Sequence, residues 1–104
     1  MSIQAVAWAL SLKIPDPFAK LTLISLANHA DRETGHCWPT QGLIAKEASC
    51  DRRTVMRKLP DLHEAGYIKV FDYGNRGRSL DYQVLSPGVA RLPLPPSRRK
   101  ARSS

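Results

Sequence analysis

The sequence predicts a mainly α-helical fold with a small β-hairpin, an α+β architecture. Apolar residues recur at helical spacing in several segments before Gly66, and Thr40 and Asp51 stand where two of those segments begin. After Gly66, residues 67–71 and 80–85 have the composition of β-strands. With 104 residues, the chain is long enough for one domain with a single modest core.

Two helices are predicted in the first 30 residues. Residues 3–12 place apolar side chains at helical spacing. Asp16 and Pro17 form a typical helix start, because a carboxylate accepts hydrogen bonds from free N–H groups and proline fits the first helical position. This second helix is expected to reach about Ala30 and to pack on several sides. The apolar positions of the first helix are Ile3, Val6, Ala9 and Leu10, and the side chains expected to be buried in the second are Phe18, Leu21, Ile24, Leu26 and Ala27.

A turn and a third helix follow. The composition of residues 31–36 predicts a turn, and Cys37 and Trp38 suit a very short strand. Thr40 is a plausible cap for a helix that ends near Ala48. The side chains expected to face inward from this helix are Leu43 and Ile44.

The fourth helix begins after a tight turn. Ser49 and Cys50 form that turn, and Asp51 is well suited to cap a helix that runs to about Ala65 and stops at Gly66. On a helical wheel, the apolar side of this helix is formed by Val55, Leu59 and Leu62. The opposite face carries Arg53, Met56, Arg57 and Glu64, with Arg52 and Lys58 on its two flanks.

Pro60 lies inside this fourth helix. Proline removes one main-chain hydrogen bond and clashes with the preceding turn. We therefore expect a bend near residues 56–60.

The two strand segments are joined by DYGNRGRS, whose glycines and asparagine are turn formers. A hairpin is therefore predicted, with Arg76 and Arg78 at its tip. Two helices joined by a tight turn and followed by a hairpin make up a winged helix-turn-helix, the hairpin being the wing. We expect this domain to span residues 1–85.

The charge indicates a polyanionic partner. The formal net charge is +7 and the isoelectric point about 9.9. Residues 86–104 hold five basic residues and no acidic one, and their four prolines predict a disordered tail. In residues 1–85 the basic residues nearly balance the acidic ones, so positive charge matters only where it is concentrated, at 52–58 and at the hairpin tip.

These patterns predict binding to double-stranded DNA. Outward residues of a helix docked in the major groove reach base edges, and flanking cations meet the phosphate walls. The expected base contacts are Arg53, Met56 and Arg57, with Arg52 and Lys58 on phosphates. The hairpin arginines, Arg76 and Arg78, are expected in the minor groove. The tail is expected to add sequence-independent attraction through Arg98, Arg99, Lys100 and Arg102.

From Trp8 to about Val84 the chain resembles the winged helix-turn-helix domains of phage and plasmid replication proteins and small mobile-element regulators. The resemblance rests on KLTLISLANHAD, HCWPTQ, LIAKEA and DRRTVMRKLPDLHEAGYI. It implies that Thr40 and Gln41 contact the phosphate backbone and that Thr54 belongs to the recognition helix, on its phosphate side. The sequence departs from the family pattern at Asp51, where serine is usual, and at Pro60.

Other function classes have little support in the sequence. The histidines and the two cysteines, Cys37 and Cys50, lack the spacing of a zinc site. No phosphate-cradling glycine loop or nucleophile-elbow serine is present, so neither an enzyme nor a cofactor is expected. A chain of this size without a disulfide framework suits a reducing cytoplasm, and the apolar N-terminal segment is too short to span a bilayer.

Three functions stay open at this point. The first is a sequence-preferring regulator or mobile-element accessory factor, assembled as a homodimer or cooperatively on DNA through the N-terminal helix or the wing. The second is the DNA-binding part of a replication initiator. The third is a winged helix used as a protein-interaction module, with its cations on an idle face.

Overall fold

The structure, a computed structural model, describes residues 3–71 and 81–87. Within these ranges it contains four helices and a three-stranded antiparallel sheet, as expected for an α+β winged helix-turn-helix. The elements in chain order are α1 (Ile3–Ser11), α2 (Pro17–His29), β1 (His36–Cys37), α3 (Gln41–Glu47), α4 (Arg52–Glu64), β2 (Ile68–Phe71) and β3 (Asp81–Val84).

The helices α2, α3 and α4 each begin with the predicted capping residue. The side-chain oxygen of Asp16 accepts from Phe18 N at 2.9 Å, and that of Thr40 accepts from Leu43 N at 3.1 Å. Asp51 caps α4 by accepting from Thr54 N at 2.8 Å. These local hydrogen bonds satisfy main-chain donors that the helices cannot satisfy themselves, and they fix where each helix begins.

The sheet has the order β1-β3-β2, so β3 is central. His36 pairs with Gln83 on one side of β3, and Ile68 pairs with Val84 on the other. The first strand was predicted at Cys37 and Trp38 but comprises His36 and Cys37. The shift follows from strand pairing, since these two residues lie opposite Gln83 and Tyr82. Trp38 instead packs against His36, with 4.4 Å between the two ring centroids.

The core lies between the helices and the inner face of the sheet. The predicted inner face of α4 is confirmed, because Val55, Leu59 and Leu62 are all buried. The other large buried side chains of this cluster are Leu23 and Leu26 of α2, Ile44 of α3, and Ile68, Tyr82 and Val84 of the sheet.

The prediction for α2 is confirmed for Leu26 and Ala27, which are buried, and is wrong for Phe18 and Leu21. Phe18 and Leu21 were expected in the core, yet Phe18 is 40% exposed and Leu21 is also exposed, whereas Leu23 and Thr22 are buried. Apolar residues surround most of this helix, so its sequence does not single out one inner face. The packing partners decide, and α2 contacts α1, α3, α4 and the sheet.

Of the apolar positions identified in α1, Ala9 is buried and Val6 is partly buried, while the two largest are exposed. Ile3 is 79% exposed and Leu10 is also exposed, while Ala5 and Ala9 are buried. The small alanines allow α1 to lie close against α2, which leaves the larger side chains outside. In α3, Ile44 is buried as predicted, but Leu43 is exposed. The exposed apolar residues of α1 are compatible with assembly through this helix, which stays a prediction.

The α4 helix continues without interruption through Pro60, which is exposed. Helical structure on both sides of the proline is held by the burial of Leu59 and Leu62. The bend expected near residues 56–60 stays a prediction.

Glycine is required at the end of α4 but not at the start of α3. Gly66 has a φ of +87°, and Gly42 is helical; a Cβ atom at either position would meet no atom within 4 Å. We expect Gly66→Ala to destabilise the fold by about 1 kcal/mol, because an L side chain disfavours positive φ. Gly42→Ala is expected to stabilise it by about 0.5 kcal/mol, since alanine loses less entropy in a helix.

Chemical denaturation of the wild type and the two variants measures both effects. Equal effects of the two substitutions would contradict the assignment of a left-handed backbone to Gly66.

The cap of α4 makes stability depend on pH. Hydrogen bonds from the side chain and main chain of Thr54, with a smaller contribution from Arg53, lower the pKa of Asp51 below its ordinary value of 3.8. A lowered pKa in the folded state means that this stabilisation is present at neutral pH and is lost as the pH falls below about 4. We expect Asp51→Ala to lower the melting temperature at pH 7 by several degrees.

Asp51→Asn is the matched control, because asparagine keeps an oxygen acceptor for Thr54 N but carries no charge. It should melt close to the wild type at pH 7 and lose less stability between pH 5 and pH 3. Melting curves across that range test the expectation, which fails if the asparagine variant loses stability as steeply as the wild type.

Candidate nucleic-acid interface

The α3 and α4 helices form one compact unit joined by the four residues 48–51. Ser49 has a φ of +56°, a left-handed conformation that reverses the chain between the helices. Cys50 N donates to Ala45 O at 3.0 Å, which closes the turn. Cys50 also packs against the core, and Ala45 and Val55 are buried within it. The two helices are therefore held in a fixed relative orientation.

The outward face of α4 presents cations around an apolar centre. Arg52, Arg53 and Arg57 are exposed, and Met56 is 54% exposed between them. Together with Asp51, these side chains line an open, shallow concavity on the protein surface. The residues predicted as base contacts, Arg53, Met56 and Arg57, are thus brought together on one accessible surface.

Asp51 and Thr54 are engaged with each other at the start of this face. The side chain and the main-chain N–H of Thr54 both hydrogen-bond to the Asp51 carboxylate, and these bonds are the main reason for its lowered pKa. The carboxylate is therefore ionised at neutral pH. The half-buried Thr54 hydroxyl already has a partner, so its predicted phosphate contact requires giving up that bond.

Thr40 and Gln41, at the start of α3, differ in accessibility. Thr40 is exposed, and its hydroxyl oxygen accepts the capping bond from Leu43 N. The hydroxyl hydrogen is left for another acceptor. Gln41 is only 5% exposed, so little of its side chain is available for the predicted phosphate contact.

Lys58, a further predicted phosphate contact, is paired within the protein. Its ammonium forms an ion pair with the carboxylate of Asp16, immediately before α2. The hydrogen bond from Lys58 is the main cause that lowers the pKa of Asp16, and the capping bonds from Ala19 and Phe18 act in the same direction. No sequence pattern predicts this pairing, because the two residues are 42 positions apart.

The remaining predicted contacts lie outside the described residues. They are the hairpin-tip residues Arg76 and Arg78 and the tail residues Arg98, Arg99, Lys100 and Arg102.

A hydrogen-bonded cluster that was not predicted from the sequence connects α2 to α3. Ser25 Oγ donates to Glu47 Oε1 at 2.6 Å, and His29 Nε2 lies 3.0 Å from the same oxygen. The carboxylate stands between the serine and the histidine, so the histidine does not contact the hydroxyl as a general base would. This cluster therefore positions α3 and is not arranged for nucleophilic catalysis.

The other candidate reactive groups are structural. Burial raises the pKa of the Cys37 thiol far above its ordinary range, and burial followed by the Asp51 charge raises that of Cys50, so neither is an activated thiolate. His36 and Asp81 form a buried pair at 3.7 Å between β1 and β3. Across residues 3–71 and 81–87, no three His, Cys, Asp or Glu side chains are grouped to hold a metal ion.

Within the same ranges, no helix combines the length and apolarity required to cross a bilayer.

Comparison with known families agrees with this geometry. A family model described as a helix-turn-helix domain matches residues 17–68, which are half of the chain and extend from the start of α2 to the first residue of β2. No curated protein and no solved structure matches the chain significantly. The predicted helix-turn-helix is thereby confirmed, while the resemblance to phage and plasmid proteins stays a prediction. The chain belongs to the helix-turn-helix domain family and is a DNA-binding domain of that type.

Proposed function

We propose that the protein is a sequence-preferring double-stranded DNA-binding regulator, or an accessory factor of a mobile element, that places α4 in the major groove. The observation that carries this proposal is the division of α4 into two faces. Val55, Leu59 and Leu62 fix the helix in the core, and Arg53 and Arg57 project from its opposite side. A helix held in this way keeps its outward side chains in a defined register against base edges.

Direct base reading is assigned to three residues. The planar guanidinium groups of Arg53 and Arg57 can each bond O6 and N7 of a guanine, and each such pair discriminates by about 1–3 kcal/mol. Met56, exposed between them, offers an apolar surface to a thymine methyl group. All three side chains line the same open concavity.

Phosphate contacts are assigned mainly to Arg52 and Thr40. Arg52 is exposed at the first turn of α4, where the positive end of the helix dipole also favours an anion. The exposed Thr40 hydroxyl can donate to a phosphate oxygen while it continues to cap α3. Gln41 and Thr54 are weaker candidates because of burial and the bond to Asp51, respectively.

The wing and the tail complete the proposed interface. Arg76 and Arg78 at the hairpin tip enter the minor groove, and the cations of residues 86–104 add attraction that does not depend on sequence. About 5–8 phosphates are neutralised per bound unit, so the logarithm of the affinity falls by about 0.9 per phosphate for each tenfold rise in salt. No catalytic step is part of this function, which is exercised in the bacterial cytoplasm or nucleoid.

Substituting the two reading arginines tests the proposal. A preferred site is first selected from a pool of random duplexes, and the affinity of each variant is then measured on that site and on random DNA. Arg53→Ala and Arg57→Ala are each expected to cost about 1–3 kcal/mol on the preferred site. On random DNA their cost should be small, because base contacts are not made there.

Arg98→Ala with Arg99→Ala is the matched control, since it also removes two guanidinium groups but is expected to weaken binding to every sequence alike. If the wild-type protein bound all duplexes equally, the regulatory role would be overturned. If it bound none even at low salt, the interaction-module function would replace DNA binding.

A further inference from the structure

The carboxylate of Asp16 has a separate role for each of its two oxygens. Oδ1 accepts hydrogen bonds from Phe18 N at 2.9 Å and from Ala19 N at 3.4 Å, which caps α2. Oδ2 holds the ammonium of Lys58, in the second turn of α4. One residue therefore begins α2 and also ties the recognition helix to it.

The ion pair is only partly open to water. The side chain of Lys58 is 21% exposed and that of Asp16 is 38% exposed. In contrast, the outward arginines Arg53 and Arg57 are exposed and line the concavity. Lys58 is thus held in an ion pair with a carboxylate of the protein itself.

We propose that Asp16 acts as an internal counterion for Lys58, which keeps this cation from neutralising a DNA phosphate and so limits the affinity of the protein for DNA of any sequence. The inference rests on the proposed function, because it concerns the same interface. It reverses the role that the sequence suggested for Lys58, from a phosphate contact to a residue that fastens α4 to α2.

Moving Lys58 from Asp16 to a phosphate replaces one ion pair with another and leaves the Asp16 carboxylate without its cation near a polyanion. Little is gained by that exchange, since an ion pair that is partly exposed to water contributes little net free energy in either place. The number of neutralised phosphates, which sets the salt dependence of binding, is therefore lower by one than the count of cations on α4 suggests.

Two conservative substitutions separate the roles of Asp16. Asp16→Asn keeps an oxygen acceptor for the cap of α2, because asparagine and aspartate are equally good caps, but it removes the charge that holds Lys58. Lys58→Met removes the ammonium and keeps an apolar stem of similar length against the protein surface. Together with the double variant and the wild type, the two single variants form a double-mutant cycle.

The measurement is the affinity for a random 20-base-pair duplex from 50 to 200 mM salt. We expect Lys58→Met to leave the slope of the wild type unchanged. Asp16→Asn should bind more tightly at low salt with a slope steeper by about 0.9, so that its advantage over the wild type shrinks about 3.5-fold across this range. The double variant should return to the wild-type slope.

The cycle also controls for net charge. If the gain in Asp16→Asn came only from removing a negative charge, Lys58→Met would change the slope equally in both backgrounds, and the inference would be overturned. A drop of about 0.9 on Lys58→Met in the wild-type background would overturn it as well, because Lys58 would then be contacting a phosphate.

Failure of this inference can be distinguished from failure of the proposed function. If the wild type showed no salt-dependent binding to the duplex, both would fail. If it bound but the four slopes were the same, only the role of Asp16 would fail. Titration of the Asp16 carboxyl by NMR reports on the pair without DNA: its pKa, lowered in the wild type, should move back towards the ordinary value of 3.8 in Lys58→Met.

Discussion

The burial of three side chains on one side of α4 is the constraint on which the rest of the structure depends. Val55, Leu59 and Leu62 insert into a core built from α2, α3 and the sheet. Once that face is fixed, the opposite face is fixed too, because side chains on a helix keep a set angular separation. The exposure of Arg53 and Arg57 is thus a consequence of packing on the other side of the same helix.

The residues that cap the helices in this fold do more than accept hydrogen bonds from free main-chain N–H groups. The Asp51 carboxylate caps α4 and places a negative charge beside the arginines, and Asp16 caps α2 and holds Lys58. Thr40 caps α3 without adding any charge. The electrostatic character of the surface around α4 is therefore adjusted by the same residues that set where the helices begin.

The features predicted correctly from sequence are those determined by neighbours along the chain. All three caps and the inner face of α4 follow from a few consecutive residues, because capping is local and α4 has a clear contrast between charged and apolar sides. The buried face of α2 was predicted only in part, since a helix that is apolar on most sides carries no such contrast. There the buried positions, including Thr22 and Leu23, are chosen by the packing partners.

Contacts between distant residues explain the rest of what the sequence did not reveal. Two sets of polar contacts arise only when the helices pack together. They are the cluster of Ser25, His29 and Glu47 and the ion pair of Asp16 with Lys58. The first strand begins at His36 because it must pair with Gln83, 47 residues away. Such partners have no spacing rule that a single sequence could display.

Pro60 changes what the main chain of α4 offers to its surroundings. A regular helix has its interior carbonyl groups saturated, so only side chains remain to recognise a nucleic acid. Proline has no N–H to give to the carbonyl of Met56, one turn earlier, and this oxygen belongs to a residue whose side chain is exposed among the arginines. The main chain of α4 therefore lacks one hydrogen bond at Pro60, and the burial of Leu59 and Leu62 on the opposite side holds the helix together across that position.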